Sequence, residues 1–241
     1  MRPYLVLASA LFTDARSWAP ALSRLTLDAE VDHVPTPAEA LENAAYLNAY
    51  VEDVITRIER AEEARRVVLV GHSLGAYIAA RALGRMGTSA AKVAHFVGVG
   101  GLVRMPADLV RARADLAREV EAGRVPARAV VEGMARGAVG DDAESAASLL
   151  GWLEHLSSEA LVAGLRRTDP LAEDAWAVTP FSTPTTLIHG REDTSVPFAC
   201  GEELARLLPN AELVALGTSS HMLPMTHSAV VASMLDRALG G

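Results

Sequence analysis

The sequence predicts a doubly wound α/β fold: a mostly parallel sheet with helices on both faces, interrupted by a helical insertion. Three observations predict it. In the first hundred residues, short aliphatic or β-branched runs alternate with segments of helical periodicity. The same alternation resumes at Pro184. Between the two halves, residues 102–180 are rich in Ala, Arg and Glu at helical spacing and hold no convincing strand. Half of the 241 residues are hydrophobic (50%), enough for a large core in one domain with an insertion.

The elements follow in order. Residues 4–8 read as a buried strand. The same region, with Arg2, an apolar run and an Ala-Ser-Ala, also has the look of a short secretory leader, but Thr13-Asp14 breaks the run early and the strand is preferred. Asp14 caps a helix over 15–25. A weaker strand over 29–34 is closed by Pro35 and Pro37. Residues 39–63 carry Leu41, Ala45, Tyr50, Val54 and Ile58 near one helical face. The β-branched run 67–70 predicts a central strand, 74–86 a helix, and 93–99 another buried strand. After the insertion come a strand over 185–189, a helix over 198–208, a strand over 212–216 and a last helix over 228–239. The expected division is a core of 1–101 and 181–241 with 102–180 as a helical lid. An insertion after a strand's C-terminal end lies over the sheet edge where α/β proteins place their sites.

Composition excludes several classes. The net charge is −8 and no basic run exists, only the isolated pairs Arg65-Arg66 and Arg166-Arg167, so a nucleic-acid partner is not expected. No stretch approaches the roughly 20 apolar residues of a membrane span. The single cysteine, Cys200, rules out an internal disulfide; with it a reducing, cytoplasmic location is expected. Cys200 is a candidate nucleophile only by residue type, because its segment reads as an ordinary helix. No HExxH, cysteine cluster, GxGxxG or P-loop is present, so no metal or organic cofactor is expected.

The chemistry gathers around Gly71-His72-Ser73-Leu74-Gly75. Gly-x-Ser-x-Gly alone is a weak signal. Here a strand run precedes it and a helix-forming run, "AYIAARAL", follows. A sharp turn between strand and helix lifts a serine above the sheet and crowds the residues two before and two after, which must then lack side chains. The Leu74 amide, at the helix N-terminus, faces a developing negative charge.

A serine needs a base, and the base an acid, in the order Ser, Asp or Glu, His. In "TTLIHGREDTSVP" Asp193 lies just past a strand; Glu192 is its neighbour and competitor, and Asp193 is preferred because it precedes the opening of the next helix. His221 lies in the loop after the following strand, and His227, further into the last helix, is the weaker candidate. His33, His72, His95, His155 and His189 read as core, turn or surface residues. Ser73, Asp193 and His221 then divide the work: attack, orientation of the imidazole, and proton transfer.

Together these residues resemble the α/β-hydrolase superfamily, from Gly71–Gly75 through "LIHGREDTSVP" to the segment around His221. The resemblance implies an α/β-hydrolase fold. Many members begin with an extra hairpin; here the first parallel strand begins almost at Met1, which implies a shortened sheet of about six strands, similar to the plant methylesterase and hydroxynitrile lyase branch. The usual His-Gly after the first strand is replaced by Ser9-Ala10, with Leu11 at the position of the second backbone donor. The oxyanion hole implied is Leu74 and Leu11.

The reaction implied is serine hydrolysis of a small apolar ester, lactone or thioester through an acyl-enzyme. C–C bond hydrolysis, or lyase chemistry on cyanohydrins, is an alternative on the same triad. A ligand-binding homologue without catalysis is another, and Ser9-Ala10 is its support. Met105, Met134, Trp152, Leu153 and Leu156 are candidates for the pocket beneath the lid, or for packing within it.

Overall fold

A computed structural model describes residues 2–37, 42–62 and 65–241. Strand β1 (Tyr4–Ala8) shows why the sheet is buried on both sides. Its side chains alternate, Leu5 and Leu7 to one face and Val6 and Ala8 to the other, and both sets are inaccessible to solvent. Helix α1 (Ala19–Leu22) and strand β2 (Glu30–Val34) follow, then α2 (Asn43–Arg60), β3 (Val67–His72), α3 (Leu74–Met86) and β4 (Val93–Val99). Four helices come next: α4 (Ala107–Glu121), α5 (Ala127–Val139), α6 (Ala143–Leu153) and α7 (Ser158–Arg166). The alternation returns with β5 (Thr185–Gly190), α8 (Phe198–Leu207), β6 (Ala211–Leu216), the short α9 (Leu223–Thr226) and α10 (Ser228–Gly240).

The six strands form one parallel sheet in the order β2-β1-β3-β4-β5-β6. The central β3 is buried along its whole length, whereas the edge strands β2 and β6 are partly exposed. Helices α2, α3 and α8 cover one face; α10 and the segment around Trp18 and Ala21 cover the other. Helix α2 seats Tyr46, Tyr50, Val54 and Ile58, spaced by four, against β1 and α3. At roughly 1.5–3 kcal/mol for each fully buried large apolar side chain, such a stripe holds the helix far more firmly than its intrinsic propensity. The register pairs Ala8 with Gly71 and Gly71 with Gly98, so β1, β3 and β4 end level with one another.

Helices α4 to α7 build an apolar cluster of their own, around Val131, Leu149, Leu161 and Leu165. Met222 and Met225, from the segment after β6, complete that cluster. The chain on either side of the helices, at Leu102, Met105, Leu171 and Val178, packs instead into the core over the sheet.

Most elements fall within one or two residues of their sequence-based bounds, and two helices depart further. The helix expected over 15–25 is a 3-10 turn, Ala15–Trp18, followed by α1. It stops early because Asp236 of α10 captures the amides of Thr26 and Leu27, which turns the chain toward β2. The helix expected over 39–63 runs from Asn43 to Arg60; Leu41, placed on its apolar face, lies outside the described residues. Among the described residues no helix is long and apolar enough to cross a membrane.

Candidate active site

The winding of the sheet reverses between β1 and β3, with β2 on one side and β3 to β6 on the other. Chains leaving those two strands diverge and leave a crevice at their carboxyl ends. Ser73 borders it from β3 and residues 9–13 border it from β1. Ser73 has φ 54° and ψ −119°, a conformation that costs a side-chain-bearing residue on the order of 1–3 kcal/mol. The turn is clamped: the Ser73 amide donates to Val99 O at 2.8 Å, and Tyr77 N donates to Ser73 O at 3.1 Å. Both glycines are sterically required. A Cβ on Gly71 would lie 2.5 Å from Gly75 O, and one on Gly75 would lie 2.2 Å from Ala8 O. Leu74 begins α3, so its amide has no carbonyl partner within the helix.

The loop after β1 is held by polar contacts. Ser9 is buried, with its Oγ 2.7 Å from His33 Nε2, and its carbonyl accepts from Tyr50 OH at 3.1 Å. Thr13 donates twice to Ala10 O, from its amide at 3.2 Å and its hydroxyl at 3.1 Å. The left-handed residue in this loop is Phe12, φ 62°, and not Ala10. The freedom a glycine would bring at position 10 is therefore not demanded there. Among the described residues no backbone carbonyl accepts from the Leu11 amide.

Asp193 and His221 meet at the ends of β5 and β6. His221 Nδ1 donates to Asp193 Oδ2 at 2.6 Å, and Asp193 Oδ1 accepts from Ser195 N at 2.9 Å and Val196 N at 2.8 Å. Both side chains are buried. Burial alone would raise the Asp193 pKa; the charge and hydrogen bond of His221 and the Val196 amide outweigh it and hold the carboxyl below its usual range. His189 Nε2 donates to Val196 O at 2.8 Å, and burial lowers its pKa, so it braces this turn as a neutral ring. Beneath the His221 imidazole the backbone passes at Gly100, φ 58°, where a Cβ would stand 3.2 Å from the ring.

His72 supports His221 from below. It is fully buried, its Nε2 donates to His221 O at 3.0 Å, and the two rings lie 4.9 Å apart. Burial, aided by His221, pushes its pKa down to about 3, so it is a neutral ring. From above, the last turn of α5 holds the same loop. Ala138 O accepts from His221 N at 2.9 Å, Met222 N at 2.8 Å and Ser220 Oγ at 2.9 Å.

Ser73, Leu74, Leu11 and His221 line one cavity of about 260 Å³, partly covered by side chains of the α4–α7 block. Of the candidates for pocket or packing, Met105, Met134 and Leu153 line it. Trp152 and Leu156 do not. Trp152 lies under the Arg16 guanidinium, 5.1 Å from ring centre to carbon, and Leu156 borders a separate depression with Ala127 and His155. They fall on the far side of α6 and its following turn, which helical spacing alone does not orient. The competing candidates fall elsewhere. Glu192 is exposed, and His227 pairs with the hydroxyl of Thr226 at 2.9 Å at the start of α10. Cys200 is buried in α8 with its pKa pushed up to about 11 by burial and nearby Glu203, so its thiol stays protonated. Among the described residues no group of three or more His, Cys, Asp or Glu is placed to hold a metal.

The chain belongs to the alpha/beta hydrolase family, whose sequence profile matches residues 4–234. By that membership it is a hydrolytic enzyme. Its fold is similar to that of the enol-lactonase from Burkholderia xenovorans, at 19% identity, TM-score 0.77, and coverage of 100% of this chain and 92% of the other. It is likewise similar to an esterase from Exiguobacterium antarcticum, at 15% identity, TM-score 0.73, and coverage of 99% and 92%. A 71-residue stretch is 31% identical to 2-hydroxymuconate semialdehyde hydrolase of Pseudomonas putida, and covers 30% of this chain and 25% of that protein.

Proposed function

We propose that the protein is a serine hydrolase acting on a carboxylic ester, lactone or thioester with a small, largely apolar body, through Ser73, His221 and Asp193. The observation that carries this reading is the 2.6 Å contact between His221 Nδ1 and a buried Asp193, in a cavity that Ser73 enters from a strained strand-to-helix turn. Asp193, ionised, fixes the imidazole with its proton on Nδ1 and leaves Nε2 as the base. Nε2 takes the Ser73 proton as Oγ attacks the carbonyl. The amides of Leu74 and Leu11 receive the charge on the carbonyl oxygen. The protonated imidazole then gives its proton to the leaving alcohol, alkoxide end or thiol, and an acyl-serine remains. Water, deprotonated by the same nitrogen, cleaves the acyl-serine and restores the serine.

In the same reading α4 to α7 are the lid, residues 102–180 on a core of 1–101 and 181–241. Their separate apolar cluster and their contribution of Met134, Leu149 and Leu153 to the cavity support this. Such a block sets which substrate fits more than which bond breaks.

A second reading keeps the triad and cleaves a C–C bond. The stretch shared with a hydrolase named for 2-hydroxymuconate semialdehyde, an aldehyde acid rather than an ester, favours it. One experiment separates the readings. Wild type and Ser73→Ala are labelled with a fluorophosphonate and assayed on nitrophenyl esters, lactones, acyl thioesters and a conjugated keto-enol acid. Rapid labelling of wild type alone, with ester turnover, is the expected result. Undiminished ester turnover by a folded Ser73→Ala protein would overturn the proposal.

A further inference from the structure

Arg113, on α4, lines the same cavity as Ser73 and His221. The same wall carries Leu109, Leu116, Leu171 and Val196 beside the hydroxyl residues Thr168, Thr194 and Ser195. A guanidinium offers five N–H donors and stays charged at any working pH. Arg113 uses one of them, Nη2 to Ser195 O at 2.8 Å. Arginines on the surface, such as Arg85, Arg124 and Arg166, each have a carboxylate partner where a bare charge would cost little. Arg113 stands where a bare charge costs much more, and among the described residues no carboxylate pairs with it. Burial pulls its pKa down, and the field of Asp193 pushes it back.

The other polar side chains of the wall are the hydroxyls of Thr13, Ser73, Thr168, Thr194 and Ser195 and the His221 ring, none of them an anion. The Thr13 hydroxyl donates to Ala10 O and the Thr168 hydroxyl to Leu165 O. Arg113 is thus the permanent cation of an otherwise mostly apolar chamber. The bond to Ser195 O anchors it two residues from Asp193, on the loop that leaves β5. A fixed, half-buried guanidinium with spare donors is suited to a planar anion that approaches with two oxygens.

We infer that Arg113 binds a carboxylate on the substrate, so that the preferred ester or lactone carries a free carboxylate separated from the scissile carbonyl by a short apolar chain. This rests on the serine-hydrolase reading and narrows its substrate class. The cavity of about 260 Å³ limits the chain. A glutaryl unit, whose two carboxyl groups are joined by three methylenes, is a probe of suitably short span.

The test compares two 4-nitrophenyl esters of equal chain length, the hydrogen glutarate and the pentanoate, on wild type, Arg113→Met and Arg113→Lys. Binding of glutarate monoamide and of pentanamide, neither of which is an ester, is measured by calorimetry on the same proteins. Wild type is expected to favour the anionic ester and to bind the anionic amide at least tenfold more tightly. Arg113→Met is expected to depress kcat/KM for the anionic ester on the order of a hundredfold more than for the neutral one, with partial recovery in Arg113→Lys. If wild type shows no preference in either measurement, the inference falls, even where the variants do not fold. It falls equally if Arg113→Met lowers both esters alike, since Arg113 then only ties α4 to the Ser195 loop. If neither ester is cleaved while the anionic amide still binds preferentially, the serine-hydrolase reading fails and the anion site stands.

Discussion

Replacing Asp193 by Asn tests the proposed division of labour with little change of shape. Asp193 accepts three hydrogen bonds, two at Oδ1 from the Ser195 and Val196 amides and one at Oδ2 from His221 Nδ1. An asparagine keeps the first two, because its carbonyl oxygen can stand where Oδ1 stands. Its NH2 then replaces Oδ2 and faces His221 Nδ1. Two N–H groups cannot share that gap, so the imidazole moves its proton to Nε2, toward the cavity. In that tautomer it has no lone pair with which to take the Ser73 proton. The loss expected in kcat is about 10⁴-fold, or about 5.5 kcal/mol of transition-state stabilisation. The fold should persist, since the lost charge-assisted bond, about 1.5–3 kcal/mol, is partly offset by no longer burying a charge. The pH dependence has a definite sign. The Asp193 pKa is lowered in the folded protein, so its stabilisation is present above the unfolded value near 3.9 and is lost as pH falls through the lower folded value. Any stability advantage of wild type over Asp193→Asn should therefore shrink below about pH 4. The measurements are kcat on nitrophenyl acetate, the rate of fluorophosphonate labelling, and urea midpoints across pH. A folded Asp193→Asn protein within tenfold of wild type would refute the reasoning.

Three further outcomes are expected. His221→Ala should fall to the level of Ser73→Ala, and the double variant should lose little more, whereas His227→Ala should keep most activity; the reverse pattern would move the base to α10. His72 is neutral, with its pKa at about 3 against an ordinary value near 6.5, so wild type should lose stability relative to His72→Gln as pH falls below 6.5, approaching about 1.4 kcal/mol per pH unit. Parallel stability curves for the two proteins in urea would contradict that. Cys200, with its pKa at about 11, should resist iodoacetamide at pH 8 in the folded protein and react once urea unfolds it, which mass spectrometry reads directly.

Much of this architecture is legible because the central strands are short apolar runs bounded by glycine or proline. Val67, Val68 and Val70 are β-branched, which announces the type of β3, though the strand runs on through Gly71 to His72; Thr185 follows a proline, which announces the start of β5. The segment 15–25 was less legible, because what ends it is a carboxylate more than 200 residues away, Asp236. The candidate site shows the same contrast. Ser73, Asp193 and His221 follow from motif and chain order. Arg113, His72 and the Ala138 carbonyl do not, since their significance comes from what surrounds them. Arg113 looks in sequence like any arginine of an amphipathic helix, and a main-chain oxygen leaves no trace in sequence at all. Trp152 and Leu156 show the limit of helical spacing, which gives a stripe of side chains but not which neighbour the stripe meets.

The three hydrogen bonds gathered by Ala138 O have a consequence for how the cavity opens. They join the end of α5 to the loop carrying His221, so α5 cannot lift away without stripping His221 and Met222 of their amide partners. Exchange of those two amides with deuterated water would then time each opening. On the proposed reading, a substrate that passed beneath α5 would cross while the imidazole was unseated, and the base would return to place only with the roof. Access and readiness would then be one latch, with the site never open and armed at the same moment.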